Sequence, residues 1–217
     1  MKMNWKYRGS EEIDTSSESY NQLPIIINTV ANEEITSSSN SIKVLNNRIF
    51  YYADVDEAMS LELNKILVEL DIKLQSVKLS LGDEYNPIIH LHINTYGGSI
   101  FAAFSTVDTI KRLKTPVYTY IDGSVASAGT LLSSIGQRRY MGEHAHLLIH
   151  QLSSGVYGKF SEMEDEIFNC TNLMKLLKDF YKKNTKIPMK RLDELLKRDI
   201  WLSAEECLQH GIIDEIY

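Results

Sequence analysis

Residues 87–135, PIIHLHINTYGGSIFAAFSTVDTIKRLKTPVYTYIDGSVASAGTLLSSI, carry the pattern that decides the fold. Ile88 to Ile93 is a short apolar run interrupted by two histidines, which reads as a buried parallel strand. Ile100, Ala103, Phe104, Val107 and Ile110 then recur at helical spacing, Val117 to Ile121 returns to a strand-like run, and Ser127 to Ile135 opens another helix. Alternation of this kind implies right-handed crossovers and a largely parallel sheet, an α/β fold whose ligand sites lie off the carboxyl ends of the strands. Both small-residue turns of the stretch, Asn94–Ser99 and Gly123–Gly129, fall there.

Working outward, Arg48 to Tyr52 reads as a strand, and Met59, Leu63, Ile66, Leu67 and Leu70 as one face of a helix. Residues 71–87 read as the helix end plus a polar connection through Gly82, Asp83 and Glu84 to Pro87. Downstream, residues 161–183 read as the longest helix, with Met163, Ile167, Cys170, Met174, Leu177 and Tyr181 on one face and Asn184 and Pro188 at its stop. A projecting helix that packs on a neighbouring subunit and a long surface helix of one domain both fit that length. Residues 1–22 and 32–40 are rich in Ser, Glu, Asn and Thr, too polar to offset ordering entropy by burial. The expected organisation is a mobile polar leader over 1–44, with a docked segment at 24–30, and one domain over 45–217.

Of 217 residues, 43% are hydrophobic and 24% charged, enough for a single core. A net charge of −6 and the lack of a Lys/Arg block argue against a nucleic-acid or anionic-membrane partner. Cys170 and Cys207 have neither disulfide-framework nor metal spacing. With no apolar run of about 18 residues and no signal-peptide pattern, a cytoplasmic protein is expected.

Gly123-Ser-Val-Ala-Ser-Ala-Gly129 follows a strand and opens a helix, so it sets the Ser127 hydroxyl on a tight turn beside a helix N-terminus. Ser127 is the candidate nucleophile; close helix–sheet packing is the alternative use of such small residues. In Asn94–Ser99, Gly97 and Gly98 are free to expose backbone N–H groups, as an oxyanion hole, a phosphate-binding turn or an ordinary turn would. The following Lys-Ser/Thr of a P-loop is absent, and the spacing is not that of a dinucleotide site. His150 ends the run Leu147 to Ile149 and is a candidate base. His90 with His92, and His144 with His146, could chelate a metal, but no further ligand accompanies either pair, so no metal is expected. Asp199 enters an apolar strand from a charged segment, where it could orient an imidazole or simply be solvated or ion-paired.

The order and context of these motifs resemble the proteolytic subunit of the Clp protease family over roughly residues 45–217. The resemblance rests on Ile93-Asn-Thr-Tyr-Gly-Gly-Ser99, Gly123-Ser-Val-Ala-Ser-Ala-Gly129, Met141 through Leu148-Ile-His-Gln151, Lys197-Arg-Asp-Ile-Trp-Leu-Ser-Ala-Glu-Glu206 and the closing Gly211-Ile-Ile-Asp-Glu-Ile216. It implies a crotonase-like α/β subunit and a serine endopeptidase with Ser127, His150 and Asp199 as triad. It further implies the N–H groups of Gly97 and Ala128 as oxyanion donors, with Gly98 shaping the turn. Two stacked heptameric rings, a tetradecamer, would enclose the sites, the helix over 161–183 being the ring-to-ring handle and Arg198 serving ring pairing. Gly155, Val156 and Tyr157 would lie in a strand, residues 155–159, along which substrate extends by main-chain pairing. Unfolded polypeptides would be the substrates and an ATP-dependent AAA+ unfoldase the partner, with no cofactor in this chain.

The chain departs from the family pattern at Tyr96 and Leu152, where proline is common, and at Ala128, often Met. Together with the unusual leader, these departures point to a divergent branch such as a phage or organellar copy. Two alternatives differ in class: an inactive structural subunit of a mixed ring, and a crotonase-type acyl-CoA enzyme that would use the same turns for an enolate.

Overall fold

The computed structural model describes residues 41–217. A twisted sheet is ordered β1 (Ile42–Leu45), β2 (Arg48–Tyr51), β3 (Ile89–Thr95), β4 (Val117–Ala126), β5 (Arg138–Met141) and β8 (Glu215–Ile216), with β6 (His146–Leu148) and β7 (Trp201–Leu202) continuing from the far half of β4. β1 (Ile42–Leu45) is antiparallel to β2 (Arg48–Tyr51), while β2, β3 (Ile89–Thr95), β4 (Val117–Ala126) and β5 (Arg138–Met141) run parallel. This is the parallel α/β architecture expected from the strand–helix alternation. The leader expected over 1–44, with its segment at 24–30, lies outside the described residues except for its last part, which enters the sheet as β1.

β4 decides where the site falls. Tyr118 to Ile121 pair with β5, and Ser124 to Ala126 pair with β6 (His146–Leu148), so the strand changes neighbour at Asp122–Gly123. Gly123 takes φ +73° at that break, a backbone angle that side chains with a Cβ rarely adopt. The far half of β4 thereby leaves the main sheet and ends at Ser127. β6 in turn pairs antiparallel with β7 (Trp201–Leu202).

Helix α1 (Glu57–Leu81) starts at Asp56, whose carboxylate accepts from the Met59 N–H at 2.7 Å. It buries Leu63, Ile66, Leu67 and Leu70 against the sheet. Its end at Leu81, before Gly82, falls within the 71–87 stretch expected to hold the helix end and a polar connection, and most of that stretch is helix because residues 71–81 contain no Gly or Pro and Leu74 continues the apolar stripe. Asp71 and Gln75 anchor the extension on Thr115, at 2.7 and 2.9 Å. Helix α2 (Ile100–Arg112) is capped by Ser99, and the short α3 (Gly129–Ser134) is buried throughout.

Helix α4 (Phe160–Asn184) equals α1 in length, so it is not the single longest helix. Its expected apolar face is only half used: Leu177 and Tyr181 are buried, with Phe180 beside them, whereas Ile167 is exposed. Helices α5 (Met189–Leu195) and α6 (Ala204–Gln209) and strand β8 (Glu215–Ile216) close the fold. Arg139 pins three of these segments, with its guanidinium on the Asp214 carboxylate at 2.6 and 3.0 Å and on the carbonyls of Asn184 and Gly211.

Candidate active site

Ser127 follows the last residue of β4 and precedes α3 with φ +54°, an unusual angle for a residue with a Cβ. Hydrogen bonds on both sides hold it there. Its N–H donates to the Leu148 carbonyl of β6 at 3.0 Å, and its carbonyl accepts from the Thr130 N–H at 3.0 Å and the Thr130 hydroxyl at 2.6 Å. Backbone strain of this kind costs about 1–3 kcal/mol and persists where the surroundings over-determine it. The result is a partly buried serine that lines a cavity at the end of β4.

The turn after β3 packs directly on it. Gly97 (φ +98°) lies so close that a Cβ there would meet the Ser127 Cβ at 2.6 Å and the Ala126 carbonyl oxygen at 2.7 Å. Gly98 (φ +144°) crosses Val55 with equal intimacy: a Cβ would fall 2.4 Å from the Val55 carbonyl oxygen. Val55 is tied on both sides, donating to Gly97 O at 2.8 Å and accepting from Ser99 N–H at 2.6 Å.

The N–H directions correct the expected division of labour between the glycines. Gly97 N–H is already engaged, donating to Thr95 Oγ1 at 3.1 Å. The N–H groups of Gly98 and Ala128 find no acceptor among the described residues. Gly98 and Ala128, not Gly97 and Ala128, are therefore the pair with unspent donors.

His150 follows β6 and lines a cavity of about 100 Å³ together with Ser127, Gly98 and Ala128. The rest of that cavity is formed by the apolar Ile100, Leu131, Leu152 and Leu177 together with Tyr181, Gln151 and Ser153. Asp199 is exposed and does not line it. The β6–β7 register sets Leu148 opposite Trp201 and, continued two residues, would set His150 level with Asp199. The ladder stops before that point, and Gln151 N–H turns instead to the Leu196 carbonyl at 2.8 Å. Among the described residues no hydrogen bond joins Ser127 Oγ to His150 or His150 to Asp199.

A family model described as Clp protease matches residues 31–217. The chain belongs to the Clp protease family. A protein named ATP-dependent Clp protease proteolytic subunit from Deinococcus radiodurans is 33% identical over 143 residues, 64% of this chain and 70% of the relative. One of the same name from Streptococcus thermophilus is 35% identical over 133 residues, 59% of this chain and 67% of the relative. Among solved structures, a ClpP1 mutant from Listeria monocytogenes matches with a TM-score of 0.67 at 24% identity, covering 79% of this chain and 91% of that one, which bears on the fold. Homology to proteolytic subunits supports a Clp-type peptidase activity.

Other residues singled out on the Clp protease resemblance take varied positions. Residues 155–159 form no strand and pair with no other segment among the described residues, since a lone extended segment has no ladder to join. Gly155 and Val156 nevertheless line a cleft of about 510 Å³ between this loop and α4, which shares Gln151 and Leu152 with the Ser127 cavity, whereas Tyr157 is fully exposed. Arg198 is exposed and forms no ion pair among the described residues. His92 stacks between Phe50 and Tyr120, with Nδ1 3.0 Å from Asp122 and Nε2 3.1 Å from the Arg48 guanidinium. Arg48 can only donate, so Nε2 accepts and Nδ1–H donates to Asp122. His90 bonds Tyr120, and no group of three or more His, Cys, Asp or Glu among the described residues is placed to hold a metal ion. No helix among them is long and apolar enough to cross a membrane.

The sequence reading of this Clp family site missed Thr95 and Thr130. Thr130 carried a usable signal, a hydroxyl three residues beyond the proposed nucleophile, where it can bond back to the turn carbonyl.

Proposed function

We propose that this Clp family chain is a serine endopeptidase with Ser127 as nucleophile, His150 as general base and Asp199 as the residue that orients the histidine. The observation that carries the proposal is the strained Ser127 turn, packed against a glycine turn so that Gly98 and Ala128, whose N–H groups are unspent, line one cavity with Ser127. Ser127 Oγ attacks the peptide carbonyl carbon while its proton passes to His150, and the oxygen becomes an oxyanion held by Gly98 and Ala128 N–H. His150 then protonates the departing amine, leaving an acyl-serine. Water, deprotonated by His150, releases the acid and restores the hydroxyl. Each step balances with protons alone.

By the same resemblance, the subunits assemble as two stacked heptameric rings that enclose the sites in the cytoplasm, and an ATP-dependent unfoldase feeds unfolded polypeptide into the chamber. The exposed apolar residues on the first half of α4, Phe160, Ile167 and Phe168, suit a helix that packs on another subunit. Ring pairing would also supply Arg198 with a partner and give residues 155–159 a strand to pair with.

The unlinked Ser127, His150 and Asp199 favour one second reading, a subunit that is inactive on its own. Hydrolysis of a fluorogenic peptide panel by the wild type and Ser127→Ala, with light scattering on both, tests the choice. Turnover by the wild type alone, in a particle much larger than 24.8 kDa, is expected. Equal turnover by Ser127→Ala would remove Ser127 from the mechanism, and assembly without turnover by either would favour the inactive subunit.

A further inference from the structure

The Ser127 carbonyl is linked to helix α4 through two buried hydroxyls. Thr130 Oγ1 lies 2.6 Å from that carbonyl oxygen and 2.5 Å from the Tyr181 hydroxyl. A carbonyl can only accept, so the single Thr130 proton goes to Ser127 O, and Tyr181 must donate to Thr130. The chain therefore has one direction: Tyr181 O–H to Thr130 Oγ1, and Thr130 O–H to Ser127 C=O. Thr130 and Tyr181 are almost wholly buried, and no competing water-exposed partner serves either hydroxyl. Burial pushes the Tyr181 phenol above its ordinary range, so it stays a donor throughout the neutral range.

We infer that Thr130 and Tyr181 are positioning residues, a two-hydroxyl relay that holds the Ser127 backbone in its strained angle and fixes that angle relative to α4. The physical need is plain in the geometry. A non-glycine residue at φ +54° relaxes unless both sides of its peptide are held. The N–H side is held by Leu148 of β6, and the carbonyl side is held by Thr130, whose own orientation is set by Tyr181. Relaxation would rotate Oγ and the adjoining Ala128 N–H together, moving nucleophile and oxyanion donor out of register in one motion. Neither residue touches substrate through its hydroxyl. Tyr181 also lines the cavity beside Ser127, so the same residue links the cavity wall to the nucleophile's backbone.

The inference rests on the serine-peptidase proposal. Its test is the rate at which a fluorophosphonate bearing a fluorophore labels Ser127 in the full chain, a reaction that forms an Oγ–P bond and expels fluoride. Thr130→Val and Tyr181→Phe keep shape and remove one hydroxyl each. Both are expected to slow labelling by about 10–100-fold, the loss typical of a misplaced reacting group. The double variant is expected to be no slower than Thr130→Val, since both changes cut the same relay, and Thr130→Ser is expected to restore the rate. With a peptide substrate the loss should fall on kcat and leave KM unchanged.

Ser133→Ala is the structural control, because Ser133 also donates one buried hydrogen bond in α3, to the Thr130 carbonyl at 3.2 Å. Its labelling should match the wild type. If Thr130→Val fails to fold, Tyr181→Phe carries the test alone. Wild-type rates in both hydroxyl variants, or equal slowing by Ser133→Ala, would overturn the relay and leave the peptidase standing. A wild type that is not labelled at Ser127 would overturn both.

Discussion

Gly97 and Ser127 touch so closely that a single methyl group on Gly97 would stand 2.6 Å from the Ser127 Cβ. The contact joins the turn after β3 to the turn after β4, so neither can shift without the other. Gly97→Ala meets backbone as well as side chain, and it must also hold φ +98°. A loss of about 2 kcal/mol or more in stability is expected. Denaturant midpoint and peptide hydrolysis, measured on the same sample, should fall together; an alanine variant with wild-type values of both would show that the two turns are not locked.

The cavity that contains Ser127 and His150 measures about 100 Å³ and has walls of Ile100, Leu131, Leu152, Leu177 and Tyr181, with Gln151 and Ser153 at its side. That volume suits one medium aliphatic side chain and is too small for an indole. Peptides with Leu or Met before the scissile bond are therefore expected to be cleaved at least about tenfold more efficiently than those with Trp, in line with the discrimination a hydrophobic pocket achieves. Comparing kcat/KM across such a series checks this. A preference for Trp would place the side-chain pocket elsewhere, with the 510 Å³ cleft along α4 the next place to look.

What could be read from the chain itself was whatever depends on local pattern. The alternation over residues 87–135 gives the sheet and its helices, and the small residues around Ser127 mark the turn because only such residues fit it. The length of α1 was harder to see, since residues 71–81 keep helical propensity while most of their apolar positions face outward, leaving Leu74 as the continuing sign. Which glycine keeps a free N–H depends on the rotamer of Thr95, and the Thr130–Tyr181 contact joins residues 51 apart in sequence. Neither has a local signature. Residues 155–159 show another limit, because a strand is a property of two segments and no second segment pairs with them among the described residues.

Arg139 gathers β5, the end of α4 and the C-terminal segment through one guanidinium. Asp214 receives it bidentately, and that hydrogen-bonded charge outweighs the cost of partial burial, so the carboxyl titrates below its ordinary range. Arg139→Lys keeps the charge but cannot reach Asp214, Asn184 and Gly211 together. A loss of about 2–4 kcal/mol is expected from denaturant unfolding. A change within about 0.5 kcal/mol would mean that the lysine satisfies the same three acceptors.

Asp122 gives a pH signature. Burial pushes its carboxyl up, but hydrogen bonds from His92, Tyr217 and Tyr52 outweigh that and hold it below the ordinary range. A depressed folded pKa means that the ionised form stabilises the fold above the ordinary carboxylate range, and that this stabilisation is lost as pH falls through the folded pKa. Asp122→Asn should therefore cost about 2 kcal/mol at pH 7, and the gap to the wild type should close in acid as pH falls through the depressed folded pKa. Unfolding measured across that range checks the sign. A gap that widens in acid would show that the carboxyl is not the charged member of this network.

Asp199 is the member of the proposed triad that does not line the cavity shared by Ser127 and His150, and the β6–β7 ladder ends before reaching His150. If the ladder's register extends in the working enzyme, Asp199 accepts from His150 Nδ1–H and leaves Nε2 free to take the Ser127 proton. Asp199→Asn can present its amide instead, which favours the tautomer with the proton on Nε2, the wrong nitrogen for a base. A fall in kcat of about 10⁴ with KM nearly unchanged is expected, since the geometry survives while the protonation state does not. Because a base must be neutral to work, the residual rate should also recover partly as hydroxide takes over in alkaline solution. A loss smaller than about tenfold would remove Asp199 from the triad and leave His150 to be oriented by a group outside residues 41–217 of one chain.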